Sequence, residues 1–114
     1  MTTARARKGA KGEQIAVDFL VKRGFEIFHR NLRLSRYEID IVGRDGTCLV
    51  FVEVKRSVRE TMGHPATWIS EQKQARLRRA AELYIEKFDV SGVDIRFDVI
   101  TITGDGLEYF PNAF

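Results

Sequence analysis

Glu53 and Lys55 lie two residues apart in the segment "FVEVKRS", residues 51–57. The segment begins like a buried strand, and the alternation of side chains along a strand puts Glu53 and Lys55 on one face. A carboxylate beside an ammonium group can be a surface salt bridge, or it can be part of a site that binds a cation and a phosphate. The E-x-K pattern alone does not decide between these two interpretations.

Two further acids, Glu38 and Asp40, lie on the strand predicted just before this one. The dipeptide Asp45-Gly46 separates the two strands and is a strong hairpin signal, so the strands should be antiparallel neighbours. If Asp45 and Gly46 form the turn, Glu38 faces Glu53. A pairing that differs by an even number of residues still keeps the three acids on one face.

Such a cluster needs positive charge, because like charges opposite each other on a sheet repel and a desolvated carboxylate is costly. Lys55 supplies one charge, and Mg²⁺ or Mn²⁺ would supply the rest, since carboxylate oxygens suit these ions. We expect Asp40 and Glu53 to be metal ligands and Lys55 to stabilise charge during phosphodiester hydrolysis. Glu38 would be an outer ligand or orient a water. Alternatively, Glu38 and Asp40 form an ordinary solvated strand face.

The elements that would position these residues follow the order α-β-β-β-α-β-β. Apolar spacing predicts a helix over residues 12–23 that ends at Gly24 in a left-handed cap, and a second helix over 71–88 with Ser70 as its N-cap. Residues 56–69 are typical of a loop. Apolar runs predict strands over residues 25–30, 37–44, 47–55, 93–103 and 107–110.

The composition fits one α/β domain. The chain has 114 residues, 44% of them hydrophobic, and a formal net charge of +3. We expect a single domain over residues 12–114, preceded by a basic mobile arm over residues 1–11. Cys48 is the only cysteine, and no stretch reaches the roughly 20 apolar residues of a membrane span. We therefore expect a cytoplasmic protein that does not enter a membrane.

Basic residues that could contact nucleic acid occur in the arm, after the E-x-K pattern and on the second helix. They are Arg5, Arg7, Lys8, Lys11, Arg56, Lys73, Arg76 and Arg79. A disordered arm and a solvated helix face are the alternatives. The acid cluster calls for a phosphate substrate and so favours nucleic acid, but these residues do not distinguish DNA from RNA. A chain of 114 residues offers only a short contact surface, which would suit a homodimer.

One further acid is expected to be structural. Asp98 lies on the predicted fourth strand, two residues after Arg96. The two side chains share a face of that strand, so we expect them to form an ion pair that stabilises the fold.

Several ordered motifs resemble those of the YraN-like family of small bacterial proteins, from about Gly12 to the last residue. They are Glu13, "EID" at 38–40, "VFVEVK" at 50–55, Lys73, "RFDVI" at 96–100 and "PNAF" at 111–114. Two positions depart from the usual family pattern. Tyr37 stands where a glycine is usual before "EID", and Arg56 stands where threonine is common after "EVK". Neither change removes a candidate ligand.

That family is placed in the restriction-endonuclease-like superfamily, whose nucleases carry an Asp and then E-x-K within an α-β-β-β-α-β core. The resemblance implies a mixed central sheet flanked by two helices. It matches Asp40 to the first acid and Glu53 and Lys55 to E-x-K. It also matches Glu13 to the acid that Holliday-junction-resolvase-like members carry on the first helix.

The resemblance further implies an Mg²⁺-dependent endonuclease that cuts nucleic acid, with branched DNA as a candidate substrate. Because a shared fold does not guarantee a shared function, a second hypothesis is a nucleic-acid-binding module that retains the nuclease fold without its chemistry.

Overall fold

A computed structural model describes residues 4–56, 64–67, 69–104 and 106–114, with side chains described from Gly12 onward. Its elements follow the predicted order, with a 3-10 turn added between β3 and α2. In chain order they are α1 (Ala4–Lys22), β1 (Glu26–Leu34), β2 (Tyr37–Asp45), β3 (Cys48–Arg56), the 3-10 turn (Pro65–Thr67), α2 (Glu71–Lys87), β4 (Asp94–Thr103) and β5 (Gly106–Phe110).

Helix α1 begins at Ala4 rather than at Gly12, so the backbone of residues 4–11, expected to form an arm, is helical. The predicted end of the helix is confirmed. Gly24 has φ of 97°, and its N–H donates to the Val21 carbonyl at 3.0 Å, while Phe25 N–H donates to the Leu20 carbonyl at 3.0 Å. These two bonds form a Schellman motif, which needs a left-handed residue and therefore favours glycine.

The five strands form one mixed sheet in the order β1-β2-β3-β4-β5. Neighbouring strands are antiparallel except β3 and β4, which are parallel and are connected through α2. β3 is central and nearly continuously apolar, as is typical of a strand that is covered on both faces. The predicted α-β-β-β-α-β core is therefore confirmed.

One helix packs on each face of the sheet, giving three layers. The α1 side of the core contains buried residues of α1 and of the sheet, among them Ala16, Leu20, Ile41, Val50 and Ile100. The α2 side contains Leu77, Ala80, Tyr84, Val42, Phe51 and Phe97. Within the described part of the chain, neither helix is long and apolar enough to cross a membrane.

The hairpin between β2 and β3 is confirmed, but its loop residues are Gly46 and Thr47 rather than Asp45 and Gly46. Asp45 pairs with Cys48 at the end of the ladder. Its carboxylate also accepts a hydrogen bond from Arg96 at 3.0 Å, which holds Asp45 within the strand. Gly46, with φ of 61°, occupies the position where a type II′ turn requires glycine.

The resulting register differs from the predicted one by two residues. Ile41 pairs with Val52, so the next position places Asp40 opposite Glu53, where Glu38 was expected. Because the shift is even, Glu38, Asp40 and Glu53 remain on one face of the sheet.

Candidate active site

An open cavity of about 340 Å³ lies between the start of α2 and the adjoining parts of β2 and β3. It is lined by acidic residues of the two strands. Basic residues of α2 and of the turn before β2 also line it. The lining residues are Arg36, Tyr37, Glu38, Asp40, Glu53, Lys73, Arg76 and Leu77. The three acids that sequence patterning placed on one face thus share one cavity.

Asp40 is an acid of the cavity whose pKa is raised. Burial, reinforced by the charge of Glu53 and to a smaller extent by Glu13, raises the pKa of Asp40 to about 7. Two opposing contacts lower the pKa, namely the Val54 N–H, which donates to Asp40 Oδ2 at 2.8 Å, and the charge of Lys73. The ionised form of Asp40 is therefore short of positive charge.

Glu53 forms an ion pair with a lysine from α2. Lys73 Nζ lies 2.6 Å from Glu53 Oε1, and the two side chains are 45% and 12% exposed. Ser70 caps α2 as predicted, because its Oγ accepts a hydrogen bond from Lys73 N–H at 3.1 Å. This cap fixes Lys73 in the first turn of α2, beside the end of β3. Lys73 therefore supplies a positive charge at Glu53, in addition to the charge expected from Lys55.

Lys55 lies beside a second cavity of about 360 Å³ on the other side of Glu53. Arg56 and Ser70 also line it, together with Glu53 and Lys73. The Glu53–Lys73 ion pair therefore borders both cavities. Each cavity has its own basic side chains, Arg36 and Arg76 in the first and Lys55 and Arg56 in the second.

Glu13 approaches Asp40 from α1. It is 7% exposed, and its Oε1 accepts hydrogen bonds from Arg30 Nε at 3.1 Å and from Asn31 Nδ2 at 3.0 Å. Asn31 has φ of 49° and lies between the pairs Arg30↔Ile41 and Leu32↔Ile39, opposite Asp40. The left-handed Asn31 thus joins Glu13 to the strand position that faces Asp40.

Glu38 lies at the rim of the cavity. Its carboxylate is 3.5 Å from Arg33 Nη2, and the two side chains are 50% and 70% exposed. This loose, solvated ion pair suits the expected outer role better than direct participation in a buried metal site.

The predicted basic residues fall into three groups. Lys73 and Arg76 line the acid cavity and Arg56 lines the second one, whereas Arg79 pairs with Glu82 at 2.9 Å. The arm side chains lie outside the described residues. They belong to Arg5, Arg7, Lys8 and Lys11.

Sequence reasoning missed Arg36 as a cavity residue. Arg36 lies in the turn between β1 and β2, and its guanidinium carbon is 5.3 Å from the centre of the Tyr37 ring. Its Nη2 donates to the Tyr37 hydroxyl at 3.3 Å. A signal was present, because an arginine two residues before Glu38 must lie at the end of the strand that carries the acids.

The donor set fits a metal ion that is shared with a substrate. Among the described residues, no three His, Cys, Asp or Glu side chains are placed to hold a metal ion together. Asp40 and Glu53 offer a pair of carboxylates, and Mg²⁺ is usually bound through one or two carboxylates plus substrate phosphates. The raised pKa of Asp40 indicates that the pair would gain from added positive charge.

Comparison with known proteins gives a family. The family described as "Uncharacterised protein family UPF0102" matches residues 12–102. A UPF0102 protein of Thermodesulfovibrio yellowstonii is 37% identical over 111 residues, covering 97% of this chain and 98% of the relative. A UPF0102 protein of Dictyoglomus turgidum is 41% identical over 112 residues, covering 93% and 95%. The chain therefore belongs to the UPF0102 family, which is the YraN-like family that its motifs indicate.

Proposed function

We propose that this protein is a metal-dependent nuclease that hydrolyses phosphodiester bonds of nucleic acid in the cytoplasm, with branched DNA as the first substrate to test. The observation that carries the proposal is the pair Asp40 and Glu53, which faces a cavity that is also lined by Arg36, Lys73 and Arg76. Carboxylates suit a divalent cation, and the surrounding cations suit phosphates.

Each residue has a role in this proposal. Asp40 and Glu53 would hold Mg²⁺ or Mn²⁺, which supplies Lewis-acid activation of the phosphate when bound. Lys55, in the second cavity beside Glu53, neutralises charge that grows on the phosphate during the reaction. Glu13 helps to position Asp40 through Asn31. Glu38 is an outer ligand or orients a water at the rim of the cavity.

Arg36 and Arg76 hold phosphates on either side of the bond that is cut. Arg56 and the basic side chains within residues 4–11 would extend the contact with nucleic acid beyond the two cavities. A homodimer would present two such sites to a branched substrate with near two-fold symmetry.

A nucleic-acid-binding module without chemistry is the second candidate, and one contact favours it. Lys73 already lies 2.6 Å from Glu53, so the site contains an internal cation that offsets part of its negative charge. In such a module the acids would help to position the basic residues, and no metal would be needed.

The test combines metal binding with cleavage in the same set of proteins. Mg²⁺ and Mn²⁺ are titrated calorimetrically into wild type, Asp40→Ala, Glu53→Ala and the matched control Glu26→Gln. Glu26 is an exposed acid of β1 that pairs with Arg44, outside both cavities. Cleavage is then followed on labelled branched, duplex and single-stranded DNA and on RNA.

For a nuclease, both Asp40→Ala and Glu53→Ala lose metal binding and cleavage but keep nucleic-acid binding, and Glu26→Gln behaves as wild type. Cleavage that persists unchanged in both alanine variants would overturn the assigned site. Nucleic-acid binding without metal binding at millimolar concentrations would favour the non-catalytic module.

A further inference from the structure

We propose that Lys73 is an internal counter-cation of the acid pair, displaced from Glu53 by a divalent metal ion and thereby released to bind a phosphate of the nucleic acid. The inference rests on the proposed function, because it requires Asp40 and Glu53 to bind the metal. It adds a coupling between metal binding and substrate binding at one residue.

The ion pair has the features of a replaceable contact. Glu53 is only 12% exposed, so its charge needs a nearby cation, whereas Lys73 is 45% exposed and reaches Glu53 from the solvent side. A lysine ammonium is a compact point charge on a flexible four-carbon stem, so it can leave without any movement of the helix. The backbone of Lys73 meanwhile stays fixed by the Ser70 cap.

Lys73 and a metal ion would compete for the same carboxylate. The ammonium lies 2.6 Å from Glu53 Oε1, and its charge also acts on Asp40. A divalent ion held by these two carboxylates would therefore lie close to the ammonium and repel it. We expect binding of the metal ion to push the ammonium group away from Glu53.

The displaced ammonium would remain within reach of substrate. Lys73 lines the cavity that contains Arg36 and Arg76 and also the cavity that contains Lys55 and Arg56. Once it leaves Glu53, its charge adds to the basic side chains of either cavity, where a phosphate is the complementary group. Metal binding thus increases the number of cations available to the nucleic acid. By thermodynamic reciprocity, nucleic acid then also strengthens metal binding.

The first experiment measures Mg²⁺ affinity by calorimetry at pH 8 in low salt, without nucleic acid. The variants are Lys73→Met, Lys73→Gln and the charge-preserving Lys73→Arg. The matched control is Lys87→Met, since Lys87 is the lysine in the last turn of the same helix. Because the competing charge is gone, Lys73→Met and Lys73→Gln should bind Mg²⁺ roughly three- to tenfold more tightly than wild type. Lys73→Arg and Lys87→Met should stay close to wild type.

The second experiment measures binding of fluorescently labelled branched and single-stranded DNA by anisotropy, with Ca²⁺ in place of Mg²⁺ and also without a divalent ion. Lys73→Met should weaken DNA binding roughly fivefold with Ca²⁺ and little without it, because Glu53 holds the lysine only in the metal-free protein. Lys87→Met should show no such difference. Equal loss in both conditions would mean that Lys73 is not released by the metal.

The outcomes separate this inference from the proposed function. Equal Mg²⁺ affinity in wild type and in both neutral Lys73 variants overturns the inference and leaves the metal site intact. Absence of Mg²⁺ and Mn²⁺ binding in every protein, also with nucleic acid present, overturns both proposals. Tighter binding in Lys73→Met, or in Lys73→Gln if circular dichroism shows Lys73→Met to be unfolded, supports the inference whether or not any substrate is cut.

Discussion

Two carboxylates of the sheet, Asp98 and Asp40, have opposite electrostatic surroundings. Asp98 is 1% exposed and accepts hydrogen bonds from Arg96 at 2.8 and 2.9 Å, from Asn112 N–H at 2.9 Å and from the Tyr109 hydroxyl. Asp40 accepts a bond from Val54 N–H, but burial and its acidic neighbours raise its pKa. One buried acid is fully paired and the other is short of cations.

This difference separates a structural acid from a functional candidate. The hydrogen bond to Asp98 raises the pKa of Arg96, so each charge stabilises the other, and the expected structural ion pair is confirmed. Removing Asp98 takes the acceptor from Asn112 N–H and leaves Arg96 with Asp45, which is 41% exposed, as its remaining acid partner. At Asp40 the missing positive charge must come from outside the sheet, as is typical of a site that binds a cation.

The largest effect is expected at Asp98. Asp98→Asn leaves Arg96 without its buried counter-charge and should lower the free energy of unfolding by about 3–5 kcal/mol, measured by urea denaturation at pH 7. The control Asp94→Asn alters an exposed acid on the same strand. It should change the free energy of unfolding by less than about 0.5 kcal/mol. A loss below about 1 kcal/mol for Asp98→Asn would contradict the structural role.

A smaller effect of opposite sign is expected at Asp40. Its pKa is about 7 in the folded protein, above the unfolded value of about 3.9. The protonated carboxyl therefore adds stability that is complete below about pH 4 and is lost as pH rises through about 7. Asp40→Asn should remove this pH dependence. In the absence of metal, its free energy of unfolding at pH 8 should exceed that of wild type by on the order of 2 kcal/mol.

Urea denaturation at pH 5 and pH 8, in buffer with a chelator, measures that difference. Glu26→Gln, which neutralises an exposed acid of β1, is the control and should keep the pH dependence of wild type. An equal decrease in the free energy of unfolding of Asp40→Asn and wild type between the two pH values would contradict the raised pKa of Asp40.

The smallest effect is expected at Glu38, which shares the cavity with Asp40 but is half exposed. Glu38→Gln should change the free energy of unfolding by less than about 0.5 kcal/mol. It should weaken Mg²⁺ binding by only about two- to threefold, since solvent screens its charge. Calorimetry measures the loss of Mg²⁺ affinity in Glu38→Gln, and Glu53→Gln is measured beside it for comparison. Equal losses in the two variants would make Glu38 a direct ligand.

Features of the fold that depend on local sequence could be predicted. Gly24 and Ser70 mark helix ends through backbone geometry and capping, and Asp45-Gly46 marks the hairpin. The start of α1 could not be predicted, because residues 4–11 contain no apolar stripe. β1 was predicted to end at Arg30, yet it continues to Leu34, and Asn31 adopts a left-handed conformation within it.

Features that depend on distant residues were missed. The register of the hairpin is two residues from the predicted one because Asp45 binds Arg96, 51 residues away. The two-residue period still placed Asp40 and Glu53 together, since an even shift preserves the face. The ion pair of Glu53 with Lys73 depends on where α2 crosses β3, which no short-range pattern specifies.

The connectivity of the sheet also sets the order in which the acid pair and its lysine meet during folding. Asp45 pairs with Cys48 across a tight loop, whereas the parallel ladder of β3 begins by joining Cys48 to Asp94. Hairpins form in roughly 1–10 μs, and pairing of distant strands is slower. We therefore expect Asp40 and Glu53 to come together before α2 is locked in place by β4. The two carboxylates would then repel each other without Lys73 for part of the folding reaction, so mild acid, or Mg²⁺ bound as proposed, should accelerate refolding.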